Sequence, residues 1–287
     1  MNGEIESREA LSKCATKSDD MFLIHRQNGG PFKFGQLVIP VLPESILTNS
    51  KTDLRRELRN NLNQVNNEEL FEKILRLYEK EKRSQEGLHL FIAMVCISIW
   101  INLEDQELLE ISRKTVECFA YFYDSILSNS KEWLSTPCTE EQKRVLMTIV
   151  DMVSNVKTKF RLNMSVNSMI NIINAGHDAI YSAYLHILKT DYEATSVREI
   201  LKNNPNILAA GRRTLEPLKL VSYTIPANVD LVIHLKGVSA FSYGGKSCIA
   251  KASFAIQLLE FLLHNQSNFY VSEKELNLFE KLSLFII

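Results

Sequence analysis

The chain has 287 residues, of which 45% are hydrophobic and 23% are charged, and its formal net charge is −1. This length suits one large domain or two small ones and allows a substantial buried core. The composition is that of an ordinary globular protein, and the small net charge excludes a bulk attraction to nucleic acid or to an anionic membrane.

The N-terminus is polar and charged where a secretory signal would need an apolar core. We therefore expect residues 1–20 to be flexible and the protein to be cytoplasmic. The cysteines are odd in number, scattered and without a CxxC pair, which argues against a disulfide framework and a zinc ribbon. They are Cys14, Cys96, Cys118, Cys138 and Cys248.

Hydrophobic spacing divides the first two thirds of the chain. Residues 20–50 contain short apolar runs typical of β structure, whereas from 52 to 190 apolar residues recur at intervals of three and four and predict helices. The longest uncharged stretch, 87–103, is shorter than the roughly 20 residues that a membrane-spanning helix needs. We predict that it forms a buried helix.

The pattern changes after 205, where short apolar runs separated by prolines predict strands. A Gly-rich turn and a last helix follow, so that 241–264 is predicted to form a cysteine loop and the helix that follows it. The sequence therefore predicts a single domain, 1–287, that is mainly α with small β-sheets, and we expect the β segments at its two ends to pair.

The longest helical candidate, 158–190, contains the run NAGHDAIYSAYLHIL. Gly176 costs this helix about 1 kcal/mol relative to alanine, so a close approach is expected there. One interpretation is a helix crossing beside a solvated Asp178. The other is a helix that passes over a flat cofactor, with Gly176 making room for a small ligand and Asp178 relaying protons. His177 either joins that proton transfer or packs against another element.

Two pairs of arginines lie on predicted elements. Arg55 and Arg59 lie on one face of a predicted helix, which alone indicates a solvated face, whereas Arg212 and Arg213 lie in a predicted extended segment, where they could bind a carboxylate. A guanidinium can hold a carboxylate by two parallel hydrogen bonds. The alternative is that both pairs are solvated surface charges.

The run FSYGGKSCIAK at 241–251 places Cys248 seven residues after Phe241 and four after Gly244. A Gly-rich turn at the start of a helix favours a thiolate and its bond to a metal. Haem-thiolate proteins use the pattern Phe-x-x-Gly-x-basic-x-Cys to hold iron, and Lys246 occupies its basic position.

Together these motifs resemble, in the same order along the chain, those of the cytochrome P-450 superfamily of haem-thiolate monooxygenases. Glu199 and Lys202 are similar to the family's Glu-x-x-Arg helix, and AGHDA at 175–179 is similar to its oxygen-binding stretch. The resemblance implies a P-450-like haem-thiolate fold and a haem b cofactor. It implies that the iron ligand is Cys248. It implies that the oxygen-binding and catalytic residues are Gly176, Asp178 and Ala179. It also implies a set of cofactor-binding residues: Arg55, Arg59, Arg213 (or Arg212), Lys246, Phe241 and Gly244.

The chain departs from the family at several places. It is shorter, and the loop that usually precedes the cysteine turn, the meander, is absent. Lys202 replaces an arginine and cannot form the same planar fork, and Ala250 replaces a second glycine. Ala179 stands where the family has a threonine that helps to deliver protons, which puts ordinary oxygen activation in doubt.

The leading hypothesis is therefore a haem-thiolate oxidoreductase of the monooxygenase type, acting on a small, biosynthetic organic substrate. The alternatives are a peroxygenase or an isomerase- or dehydratase-type haem-thiolate enzyme, a non-catalytic haem-binding relative, and a helical scaffold without haem. We expect a small-molecule substrate and a separate ferredoxin or flavodoxin reductase system, which surface lysines such as Lys236 could meet. No nucleic acid and no membrane anchor are expected.

Overall fold

The computed structural model describes nine segments and a few isolated positions, and the segments are 59–60, 62–80, 87–128, 166–190, 195–205, 209–214, 216–220, 223–241 and 247–269. The helices are α1 (Asn67–Lys80), α2 (Gly87–Ser98), α3 (Asp105–Ser128), α4 (Val166–Leu188), α5 (Val197–Asn203) and α6 (Lys251–His264). The strands are β1 (Ala209–Arg213), β2 (Leu218–Lys219), β3 (Thr224–Ile225) and β4 (Asp230–His234). The predicted mainly α fold with small β-sheets is confirmed.

Four helices form the centre of the molecule. Helix α1 packs on α2, α2 on α4, α4 on α6 and α6 on α1, so that they close into a bundle. Helix α2 is apolar all round and is buried at every position from Leu90 to Ile97, as expected of a helix that others surround. The buried helix predicted for 87–103 is therefore confirmed, and α4 lies within the predicted central helix.

Aromatic rings join neighbouring helices of this bundle. Phe71 of α1 contacts Phe254 and Phe261 of α6, with ring centroids 5.6 and 5.4 Å apart. Phe91 of α2 contacts Tyr78 of α1 edge-on at 6.0 Å. Such pairs contribute about 0.5–1.5 kcal/mol each beyond the area that they bury. They give the bundle a tightly packed interior.

The β structure follows α5. Strand β1 pairs antiparallel with β4, with Ala209 opposite His234 and Arg213 opposite Asp230, and β2 pairs with β3. Thr214 fastens the end of β1, because its hydroxyl donates to the Pro226 carbonyl at 2.7 Å and accepts from the Val229 amide at 2.9 Å. The strands predicted after 205 are thus present. Residues 20–50, the predicted partner segment, lie outside the described residues.

One described residue of the N-terminal segment, Ala10, is helical and is buried against apolar side chains of the sheet region. It therefore lies at a packed position within the segment 1–20, for which the sequence predicts flexibility. Within the part of the chain that the structure describes, no helix is both long enough and apolar enough to cross a membrane.

Candidate functional site

The cysteine loop, 241–250, is described at Phe241 and at 247–250. The amide of Cys248 donates a hydrogen bond of 2.9 Å to the carbonyl of Phe241, which joins the two ends of the predicted motif. The side chain of Phe241 packs against the bundle core, while Cys248 is exposed. Cys248 precedes the first residue of α6 by three positions, where the helix dipole favours an anionic thiolate. Gly244 and Lys246 lie outside the described residues.

Arg59 contacts this loop directly. Its Nη2 atom donates to the backbone carbonyl of Ser247 at 2.7 Å and to the hydroxyl of Ser247 at 2.9 Å. The guanidinium therefore lies against the residue that precedes Cys248. Of the other predicted cofactor-binding cations, Arg55 lies outside the described residues. Arg213 is described only as the last residue of β1, without its side chain.

The structure explains Gly176 by the crossing of two helices. A Cβ atom added to Gly176 would lie 3.2 Å from Sγ of Cys96, which belongs to α2. The glycine thus allows α4 to approach α2 closely, as one of the two interpretations predicts. Burial raises the pKa of Cys96 to about 12, so this thiol stays protonated at neutral pH.

Next to this crossing, His177 is fully buried and faces α2. Its Nε2 atom lies 3.1 Å from Nδ1 of His89, whose ring stacks on Tyr181 with centroids 3.6 Å apart. Burial and the neighbouring His89 lower the pKa of His177 to about 3, so the imidazole is neutral at physiological pH. His177 therefore packs against another element, in line with the second of its two interpretations.

The partner of His177 was not among the candidate residues. The available signal was His89 itself, the single histidine of the uncharged run 87–103. A histidine in such a run requires a hydrogen-bond partner inside the core, because an unsatisfied buried polar group is costly. Which residue supplies that partner depends on how α2 and α4 pack.

Two further candidates lie on α4. Asp178 is part of the helix, but its side chain lies outside the described residues. Ala179 is half-buried, and its carbonyl accepts a hydrogen bond of 3.2 Å from the hydroxyl of Ser182. A nearby hydroxyl on this helix is thus bonded to the backbone.

Helix α5 carries Glu199 and Lys202, and both side chains are exposed. An ion pair between exposed groups contributes little, typically about 0–1 kcal/mol. The backbone of α5, in contrast to these side chains, makes a contact toward the cysteine loop, because the Lys202 carbonyl accepts a hydrogen bond of 2.7 Å from the Gly237 amide. Gly237 has a φ of 75°, which favours glycine. This contact joins α5 to the segment that leads to Phe241.

No protein-family model and no curated protein match the chain. The crystal structure of CalO2 matches with a TM-score of 0.58 and 12% identity, over 88% of this chain and 78% of that chain. A structure described as one of the unusual cytochrome P-450-like monooxygenases of microbial secondary metabolism matches with a TM-score of 0.55 and 14% identity, over 94% and 85%. The ligand-free structure of cytochrome P-450 TbtJ1 matches with a TM-score of 0.50 and 13% identity, over 90% and 82%.

Proposed function

Because this chain has a cytochrome P-450-like fold, we propose that it is a haem-thiolate oxidoreductase of the monooxygenase type that acts on a small, biosynthetic organic substrate. The observation that carries the proposal is the exposed thiol of Cys248 just before α6. The amide of Cys248 donates a hydrogen bond to the Phe241 carbonyl, which fixes the backbone that presents this thiol. A thiolate in this position is the ligand that haem-thiolate proteins use. Among the cysteines whose side chains the structure describes, the other one, Cys96, is buried and protonated.

The residues around Cys248 fit a haem in their donor chemistry. Cys248 offers one exposed sulfur. Ala250, which caps α6, makes no side-chain hydrogen bond to the helix, and the positive end of the helix dipole favours negative charge nearby. The guanidinium of Arg59 lies one residue from the cysteine and supplies a positive charge for the same region. These features favour an anionic sulfur and an anionic cofactor.

When bound, the haem would supply iron-centred redox chemistry that no side chain provides. In this proposal Cys248 holds the iron, and Phe241 and Gly244 shape the loop that presents the sulfur. The cofactor carboxylates would be neutralised by four basic side chains, those of Arg55, Arg59, Arg213 and Lys246. The protein's remaining tasks are to orient the substrate and to exclude water.

In this proposal, residues of α4 deliver protons to the oxygen-binding site. Asp178 would move protons there, and Gly176 and Ala179 would flank it in the oxygen-binding stretch. Ala179 has no hydroxyl, and the Ser182 hydroxyl donates to the Ala179 carbonyl. This observation supports a second candidate function, a peroxygenase or an isomerase- or dehydratase-type enzyme, in which protons need not be delivered to oxygen in the usual way.

The remaining parts of the proposal concern the setting. We propose that residues 1–287 act as one domain, that the protein is cytoplasmic, and that a separate ferredoxin or flavodoxin system supplies electrons. Lys236 is exposed on the segment that leads to the cysteine loop and could meet an acidic partner. Peroxide-driven oxygenation of an organic substrate, without any reductase, would favour the second candidate function over the first.

The test is the difference spectrum of the reduced protein with carbon monoxide after reconstitution with haem. The wild type should show the strongly red-shifted Soret band of thiolate ligation. Cys248→Ser should lose that band, and Cys96→Ala, the matched control, should retain it. A chain that binds no haem, or a Cys248→Ser spectrum identical to that of the wild type, would overturn the proposal.

A further inference from the structure

We infer that Arg59 is a positioning residue that fixes the cysteine loop to the bundle through Ser247. This role goes beyond neutralising a cofactor carboxylate, which is the role that the family resemblance implies for it. The inference about the loop itself needs no cofactor. Its consequence for iron ligation rests on the proposed function.

The geometry centres on one peptide group, the one that links Ser247 to Cys248. Its carbonyl oxygen accepts the 2.7 Å hydrogen bond from Arg59, and its N–H donates the 2.9 Å hydrogen bond to Phe241. Because a peptide group is planar, holding both of its polar atoms fixes the orientation of the plane. The position of the Cα atom of Cys248 follows directly from that plane.

Arg59 makes a second bond that strengthens the first. The same Nη2 atom donates to the Ser247 hydroxyl at 2.9 Å, so the side chain and the backbone of one residue are held together. Hydrogen bonds with an ionised donor are roughly twice as strong as neutral ones. Arg59 is half-buried, and partial exclusion of water strengthens the interaction further. A loosely attached surface arginine would have neither property.

The contact also connects distant parts of the chain. Arg59 and Ser247 are 188 residues apart in sequence. A second polar contact joins the same two regions, because Asn67 Nδ2, at the start of α1, donates to Gln257 Oε1 of α6 at 2.6 Å. The aromatic contact between Phe71 and Phe254 lies between the same helices. Arg59 therefore holds the loop to a region that is already packed on α6.

Hydrogen exchange at the amide of Cys248 tests the inference in the full-length chain without added haem. Arg59→Ala removes both hydrogen bonds and should speed exchange of this amide roughly 10-fold or more. Ser247→Ala keeps the carbonyl bond and should have a smaller effect, while Arg59→Lys should restore part of the protection. Arg76→Ala, which removes an exposed arginine of α1, is the matched control and should change nothing.

Exchange of the α2 amides in the same samples reports whether each variant is folded. If Arg59→Ala fails to fold, Ser247→Ala and Arg59→Lys decide the outcome. Exchange of the Cys248 amide within about two-fold of the wild type in folded Arg59→Ala, or, if that variant does not fold, in both Ser247→Ala and Arg59→Lys, would overturn the inference.

A second measurement separates positioning from charge neutralisation. In the haem-loaded protein, Arg59→Ala should lower the fraction of the reduced carbon monoxide complex that shows thiolate ligation, and Arg59→Lys should restore it. A lower haem content with an unchanged thiolate fraction would assign the effect of Arg59 on haem binding to the cofactor carboxylate and would overturn the consequence for iron ligation. A protein that binds no haem would overturn the proposed function and leave the exchange result standing.

Discussion

The interface between α2 and α4 and the cysteine loop before α6 each contain a cysteine, and the surroundings of the two thiols are opposite. Cys96 is buried, close to the Gly176 backbone, and its pKa is raised to about 12. Cys248 is exposed, and its amide is hydrogen-bonded to the Phe241 carbonyl just before a helix N-terminus. The same side chain is therefore a packing group in one region and a candidate ligand in the other.

The comparison separates stability from chemistry. The α2–α4 interface consists of apolar side chains and of a neutral imidazole whose neighbours are rings. In its described residues the cysteine loop is held instead by polar bonds, those of Arg59 and of the Cys248 amide. We therefore expect substitutions in the bundle to change the free energy of unfolding, and substitutions in the loop to change ligand chemistry.

The largest expected effect is that of Phe91→Ala in the bundle. Phe91 is 0% exposed and contacts the ring of Phe269 at 4.9 Å. The change should lower the free energy of unfolding by about 3–5 kcal/mol, because it leaves a cavity in a packed core. Cys248→Ala, without haem, should change it by no more than about 0.5 kcal/mol. Urea denaturation measures both, and similar losses in the two variants would remove the distinction between the regions.

A smaller effect is expected from acid, acting through His177. Its pKa falls from the ordinary value of 6.5 to about 3 in the folded protein, so between these pH values the unfolded chain binds a proton that the folded chain does not. Stability should therefore fall as the pH falls below 6.5, by about 1.6 kcal/mol between pH 6.5 and pH 5. His177→Gln should flatten this dependence in urea denaturation at several pH values.

The matched control for this prediction is His264→Gln, since His264 is exposed on α6. It should leave the pH dependence as it is in the wild type. A His177→Gln variant that loses stability in acid as steeply as the wild type would show that other groups cause the dependence.

The smallest effect concerns the contact between Gly176 and Cys96. Alanine is favoured over glycine in a helix by about 1 kcal/mol, but here its Cβ would crowd the Cys96 sulfur. Gly176→Ala should therefore stabilise the protein in a Cys96→Ala background and do so much less in the wild type. A double-mutant cycle should give a coupling of about 1 kcal/mol, whereas additivity within about 0.3 kcal/mol would mean that the close approach is not constraining.

Local patterns predicted a good part of this structure. The absence of charge from 87 to 103 indicates a buried helix because no charged side chain has to reach water, and α2 is such a helix. The cysteine motif is also local, since the residues that form its hydrogen bond, Phe241 and Cys248, are seven apart. Helical spacing likewise indicates α4 within 158–190.

Long-range partners could not be predicted in this way. The sequence allows two interpretations of Gly176 in α4, and the structure decides between them by showing that Cys96 faces it. The charge of Arg59 indicates an acceptor, but nothing near it in the sequence points to Ser247, 188 residues away. Such pairs follow from how α2 packs on α4 and how α1 packs on α6.

The central claim is that Cys248 holds iron while Cys96 does not, and alkylation of each cysteine, resolved by peptide mass spectrometry, tests it most directly. Without haem, the native protein should be labelled at Cys248 and not at Cys96. After haem is bound, Cys248 should be protected from the reagent, because its sulfur is then coordinated. Equal labelling of Cys248 with and without bound haem would contradict the account.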